Sequence, residues 1–200
     1  MSRLRRSAAL LSCAFAALAV LVAAGAFTGV DQWTVDHLMP GASFHHAQGG
    51  FLDGLVPLLH SRWDSPYAVA ANLVTLPAAF LLALAITFAC SRVFGIALVA
   101  AVAVEVLCKE LLARPALHDG SFHIASFDSS FPSGHALRTV IVASAVAWSR
   151  PRAGRFAAAW AIGSIVLLLL AGWHTPTDVA GGVLLGGLAL LGARRLAARP

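Results

Sequence analysis

Two short stretches of this chain carry residue types suited to phosphoryl chemistry. The first is Phe131-Pro132-Ser133-Gly134-His135, and the second is His174-Thr175-Pro176-Thr177-Asp178. Each opens an apolar run with helix-start signals: a hydroxyl N-cap in both, and in the second a proline at the first helical position. A helix start presents unpaired N–H groups and the positive end of the helix dipole, which together favour an anion. Gly134 lets a phosphate oxygen approach the backbone, and His135 beside it is placed to donate a proton. In the second stretch, Asp178 can close a near capping box with Thr175. It can also accept from one nitrogen of His174 and free the other to attack, the logic of a nucleophile and its orienter. Both uses of Asp178 stay open.

Two further charges lie in apolar surroundings. Lys109 stands near the end of an apolar run, where a charge is a functional candidate by default. Glu105 precedes it by one helical turn in the favourable order for a salt bridge, so a structural pair competes with a ligand contact. Arg138 follows His135 on the same helical face. Pointing it into lipid would cost about 2.5–3.5 kcal/mol, so it should face the bundle or reach outward beside His135.

The elements that position these residues follow from composition. Of 200 residues, 59% are hydrophobic and 12% charged, and the mean hydropathy is +0.81. That composition excludes a soluble domain and predicts an all-α, polytopic membrane bundle, since only helices satisfy their own backbone in lipid without closing a barrel. A span needs about 20 apolar residues, and about six transmembrane helices are expected, over residues 7–29, 67–90, 93–112, 136–149, 156–172 and 179–193. The chain reads as a single membrane-embedded domain, 1–200. An outer segment, 30–66, separates the first two spans, and the motif region covers 105–187.

Charge orients the threading. Arg3, Arg5 and Arg6, Arg92, Arg150, Arg152 and Arg155, and Arg194, Arg195 and Arg199 all fall on one side. Basic connections mark the cytoplasm. The acidic residues and histidines fall on the other side or at its membrane edge, so the two motifs share the non-cytoplasmic face. The net charge of +5 is a topology signal, and no nucleic-acid partner is expected. The first span could pass for a signal sequence ending at Ala24-Gly25-Ala26, but its apolar run is long for one, and it is expected to be retained. The outer segment holds His37, His45, His46 and His60 without metal-ligand spacing, and Trp33, Trp63 and Tyr67 suit headgroup depth. It is expected to form short interfacial helices. Cys13, Cys90 and Cys108 show no framework spacing, so neither disulfides nor zinc are expected. Gly181, Gly182, Gly186 and Gly187 in the last span permit close helix packing.

Taken together, these residues resemble the type 2 phosphatidic acid phosphatase family, whose site is shared with vanadium-dependent haloperoxidases. The family pattern is Lys-x6-Arg-Pro, then Pro-Ser-Gly-His, then Ser-Arg-x5-His-x3-Asp. Pro132–His135 reproduce the second part, and His174 and Asp178 keep the spacing of the third. The chain departs from the pattern at two arginines. Ala116 stands where the first is due from Lys109, with Arg114-Pro115 slightly early, and Leu167-Leu168 replace the Ser-Arg of the third part. A guanidinium offers phosphate a planar, bidentate fit that a helix dipole does not. Arg114 and Arg138 could supply that charge from other positions. Alternatively, the substrate carries less charge, as in headgroup transfer between lipids, or the chain is a catalytically inactive membrane interaction protein.

The resemblance implies a metal-independent lipid phosphatase without cofactor, acting on a lipid phosphate or prenyl diphosphate whose tail stays among the membrane lipids. His174 would be the nucleophile, Asp178 its orienter and His135 the general acid and base. Lys109, Arg114, Ser133, Gly134 and Arg138 would hold the phosphate in a cationic hollow. A bacterial plasma membrane is the expected location. Oligomeric state is left open.

Overall fold

The computed structural model describes residues 2–39 and 65–197. His45, His46, His60, Trp63 and most of the outer segment lie outside the described residues. The helices are α1 (Ser2–Ala23), α2 (Thr28–Leu38), α3 (Pro66–Thr75), α4 (Phe80–Cys90), α5 (Arg92–Leu111), α6 (Gly134–Ser149), α7 (Gly154–Leu170) and α8 (Pro176–Ala197). A two-residue antiparallel ladder, β1 (His118–Asp119) with β2 (Phe122–His123), interrupts the loop between α5 and α6.

Among the described residues, four stretches are long and apolar enough to cross a membrane: Leu4–Ala23, Pro66–Cys90, Pro151–Leu170 and Pro176–Ala197. They make this a membrane helical protein, and they are fewer than the about six spans expected from sequence. The two other expected spans fall on α5 and α6. The first carries Glu105, Lys109 and Glu110 within its last two turns, and the second has only 16 residues. Large apolar side chains point outward around the bundle, among them Leu10, Leu81, Leu111, Phe156 and Ile162. An exterior with so many exposed large apolar side chains suits lipid and not water.

The stretch Pro66–Cys90 is not one helix. Ser65 caps α3 by accepting from the Ala68 N–H at 3.1 Å. Pro77 then lacks the N–H that a continuing helix requires, and the chain passes through a 3-10 turn, Leu76–Ala78, before α4. The break frees carbonyls for other donors. Trp160 Nε1 donates to Val74 O at 2.7 Å, and Arg138 Nε donates to Ala78 O at 2.7 Å. A proline in α3–α4 therefore provides the acceptor for a guanidinium buried on α6.

Helix α6 lies at the centre, against α4, α5, α7 and α8. Its Leu137, Ile141, Val142 and Ala145 join Ala83, Phe94, Leu98, Ala101 and Leu185 in the main core. Helix α8 approaches α6 most closely at Gly182. A Cβ there would collide with Ser133 O and stand 3.1 Å from Leu137 N. The expected small-residue packing thus joins the starts of the two motif helices. A second apolar cluster, Val35, Met39, Leu117, Ile124 and Phe127, fastens α2 to the α5–α6 loop. Gln32 reinforces it by donating to His118 O at 2.7 Å and accepting from His118 N at 2.9 Å.

Gly182→Ala should force α8 off α6, since the obstacle is backbone. Overpacking of this kind costs about 1–3 kcal/mol. Thermal unfolding in detergent is expected to show the loss, and an unchanged midpoint would contradict the close approach.

Candidate active site at two helix starts

The local signals form as the residue types require. Ser133 Oγ accepts from the Ala136 N–H at 3.2 Å and caps α6. Asp178 Oδ2 accepts from the Thr175 N–H at 2.9 Å, and Thr175 Oγ1 accepts from the Asp178 N–H at 3.3 Å, closing the capping box of α8. One backbone bond joins the two motifs: Ser133 N–H donates to Asp178 O at 2.9 Å. The two helix starts are thereby held side by side.

This juxtaposition brings the histidines together. The rings of His135 and His174 have centroids 5.8 Å apart, inclined at 53°. Trp173 packs beside His135, with centroids 5.6 Å apart. His174 Nδ1 faces Asp178 Oδ2 at 3.8 Å, beyond hydrogen-bond length, and is buried with no hydrogen-bond partner among the described residues. Capping by Asp178 is therefore formed in full, whereas its orienting contact to His174 is long. Burial pushes the His174 imidazole below its ordinary value of 6.5, against the opposing pull of Asp178. The neutral ring, the form able to attack, is favoured.

Arg114 is committed to carboxylates. Its Nη1 donates to Asp178 Oδ1 at 2.8 Å, and its Nη2 donates to Asp31 Oδ2 at 2.7 Å. Nη1 also lies 3.2 Å from Thr175 Oγ1 and 3.4 Å from Ser130 Oγ. Asp31 completes the junction by accepting from Thr177 Oγ1 at 2.6 Å. Burial raises the Asp31 carboxyl above its ordinary value, and the Thr177 hydroxyl and Arg114 oppose that shift. Asp31, on α2, is the residue that sequence reasoning missed. A buried acid in an outer segment gives no local sign that its partners stand far along the chain.

The other cations cluster around Glu105. Lys109 Nζ donates to Glu105 Oε1 at 2.8 Å, the helical pair allowed by their spacing, and Arg138 Nη1 lies 3.4 Å from Oε2. Arg138 is buried and faces the bundle, not lipid. The space beside Gly134 is filled as well: an added Cβ would collide with the Glu105 carboxylate. The hollow expected to be cationic is thus balanced, with Lys109, Arg114 and Arg138 each against a carboxylate. Among the described residues, no group of three or more His, Cys, Asp or Glu is gathered as metal ligands.

A membrane helical bundle whose two histidines meet at adjacent helix starts defines the class of this protein. The chain belongs to the PAP2 superfamily, whose model matches residues 93–199, more than half of its length. Membership places a phosphatase-type activity on a membrane-associated helical protein. No curated protein and no solved structure matches the chain. The matched region covers α5 through α8 and leaves α2, with Asp31, outside it.

Asp31→Ala would leave Arg114 buried with one of its two carboxylates gone. Breaking a buried pair in this way costs about 3–5 kcal/mol. Chemical unfolding in detergent should show the loss, and a change within error would mean that the Asp31 contact contributes nothing to the fold.

Proposed function

We propose that this protein is an integral membrane phosphatase that hydrolyses a lipid phosphate or prenyl diphosphate at the outer membrane face through a phosphohistidine intermediate. The observation that carries the reading is the His135–His174 pair, with ring centroids 5.8 Å apart at the starts of α6 and α8. Two imidazoles at that separation can address opposite sides of one phosphoryl group. In this reading α5 and α6 also cross the membrane, with α6 packed against α4, α5, α7 and α8. The basic ends of the bundle lie in the cytoplasm.

His174 attacks phosphorus through Nε2 as the bond to the leaving oxygen breaks, and His135 protonates that oxygen. Water then gives a proton to His135 and attacks the phosphohistidine. The P–N bond breaks, and phosphate and neutral His174 are regenerated. Asp178 orients His174 through Nδ1, closing the 3.8 Å separation as the complex forms, since catalytic hydrogen bonds often tighten only with substrate bound. Lys109, Arg138, Ser133 and the Gly134 N–H serve the phosphoryl oxygens. Arg114 acts by positioning Asp178, the role supported by its two short carboxylate contacts. Phosphoryl transfer relies chiefly on such positioning and charge stabilisation, and the scheme uses no metal or cofactor.

A lipid headgroup phosphotransferase is the second reading. It is favoured by Ala116 and Leu168 at the family's arginine positions and by the balanced charge of the site. The same phosphohistidine would then be captured by an acceptor lipid in place of water.

Purified protein in EDTA should release phosphate from lipid phosphates, and His174→Ala and His135→Ala should each abolish release. Full turnover by His174→Ala would remove the assigned nucleophile. Phosphate release only on addition of an acceptor lipid would select the transferase, and silence under both conditions would select a non-enzymatic membrane protein. For pH, the neutral form of His174 attacks and burial lowers its affinity for a proton, so neutrality persists to lower pH. The acid limb of kcat/KM should fall below pH 6.5, and a limb above that value would contradict a buried nucleophile.

A further inference from the structure

Glu105 is a charged group at the site that the reaction scheme leaves without a task. It is buried, and its two oxygens face different cations, Lys109 Nζ at 2.8 Å and Arg138 Nη1 at 3.4 Å. The same carboxylate lies over Gly134, where an added Cβ would come within 2.7 Å of Oε2 and would meet Oε1 closer still. A helix start with an open glycine favours an anion. In this chain a side chain already supplies one.

We propose that Glu105 is the specificity-determining residue of the site, an internal anion that limits how much negative charge the substrate phosphoryl group can bring. The proposal rests on the phosphate-site reading above and deepens it by naming a charge class, the singly charged phosphoryl group of a phosphodiester or of a monoester that keeps one proton. Three cations, Lys109, Arg114 and Arg138, stand against three carboxylates, Asp31, Glu105 and Asp178. A singly charged phosphoryl group adds one uncompensated charge, and a doubly charged one adds two beside Glu105. Charge repulsion weighs far more in a buried site than in water. The replacement of the family's arginines by Ala116 and Leu168 acts in the same direction. The side chain of Lys109 remains 28% exposed, so an entering phosphoryl oxygen can reach its ammonium and exchange with Glu105.

The test is equilibrium binding to the purified full chain in detergent, read by calorimetry, with two small anions. At about pH 8.5 inorganic phosphate carries two charges, whereas dimethyl phosphate carries one. Wild type should bind dimethyl phosphate more tightly. Glu105→Gln should tighten phosphate by about tenfold, a change of about 1.4 kcal/mol, and leave dimethyl phosphate nearly unmoved. Equal shifts for both anions, no shift for either, or no binding to either protein would overturn the proposal. If Glu105→Gln does not fold, Glu105→Asp keeps the charge but withdraws it from Gly134. It should move the ratio in the same direction by less, and an unmoved ratio overturns the proposal equally. Because binding is read without turnover, a protein inactive on every ester would defeat the phosphatase reading while the ratio stayed measurable.

Discussion

The guanidinium of Arg114, held between Asp31 and Asp178, is the constraint on which the rest of the site depends. It joins three segments distant in sequence: α2, the loop after α5 and the first turn of α8. A buried cation with one carboxylate on each side is tolerated only while both partners stay in place. The first turn of α8 is therefore locked, and with it the loop that carries His174. The backbone bond from Ser133 to Asp178 passes the same constraint to α6 and to His135. Local capping sets the direction of each helix start, and the buried ion pairs set where the two starts meet.

Much of this was legible because it is local. The Ser133 cap, the Thr175–Asp178 capping box and the Glu105–Lys109 pair each involve residues about one helical turn apart, so their spacing alone made each a candidate. The glycines of α8 likewise announced a close helix contact. The role of Asp31 was not legible, because nothing near it in the chain indicates a buried arginine beside α8. Nor could the sequence tell whether a guanidinium faces a ligand or a carboxylate. The resemblance to the family placed Arg114 among the phosphate contacts, and the fold surrounds it with acids.

The membrane elements show a similar division. Composition and charge made a helical membrane protein plain, whereas the count of spans depends on helices that charge or length places at the margin. The late charges on α5 and the shortness of α6 both follow from the site: one supplies Glu105 and Lys109, and the other begins only after the Ser133 cap. Pro77 was visible in an apolar run but hidden by its average hydropathy. Its effect, a freed carbonyl that receives Arg138, belongs to tertiary structure. The elements least like simple spans are thus those that carry the polar groups of the site.

Family membership and site geometry converge on phosphoryl chemistry, while the chain's own departures bear on charge. With two arginines of the family pattern replaced and Lys109, Arg114 and Arg138 each paired, the proposed scheme relies on helix N–H groups and on exchange among existing ion pairs. In the proposed scheme a histidine nucleophile divides one difficult transfer into two easier ones. The most direct measurement is rapid quenching with a lipid phosphate labelled at phosphorus, followed by peptide mapping of the phosphoenzyme. The account predicts an acid-labile, base-stable phosphoryl group on His174. Label on a different residue, or full turnover with no labelled protein at any time, would contradict it.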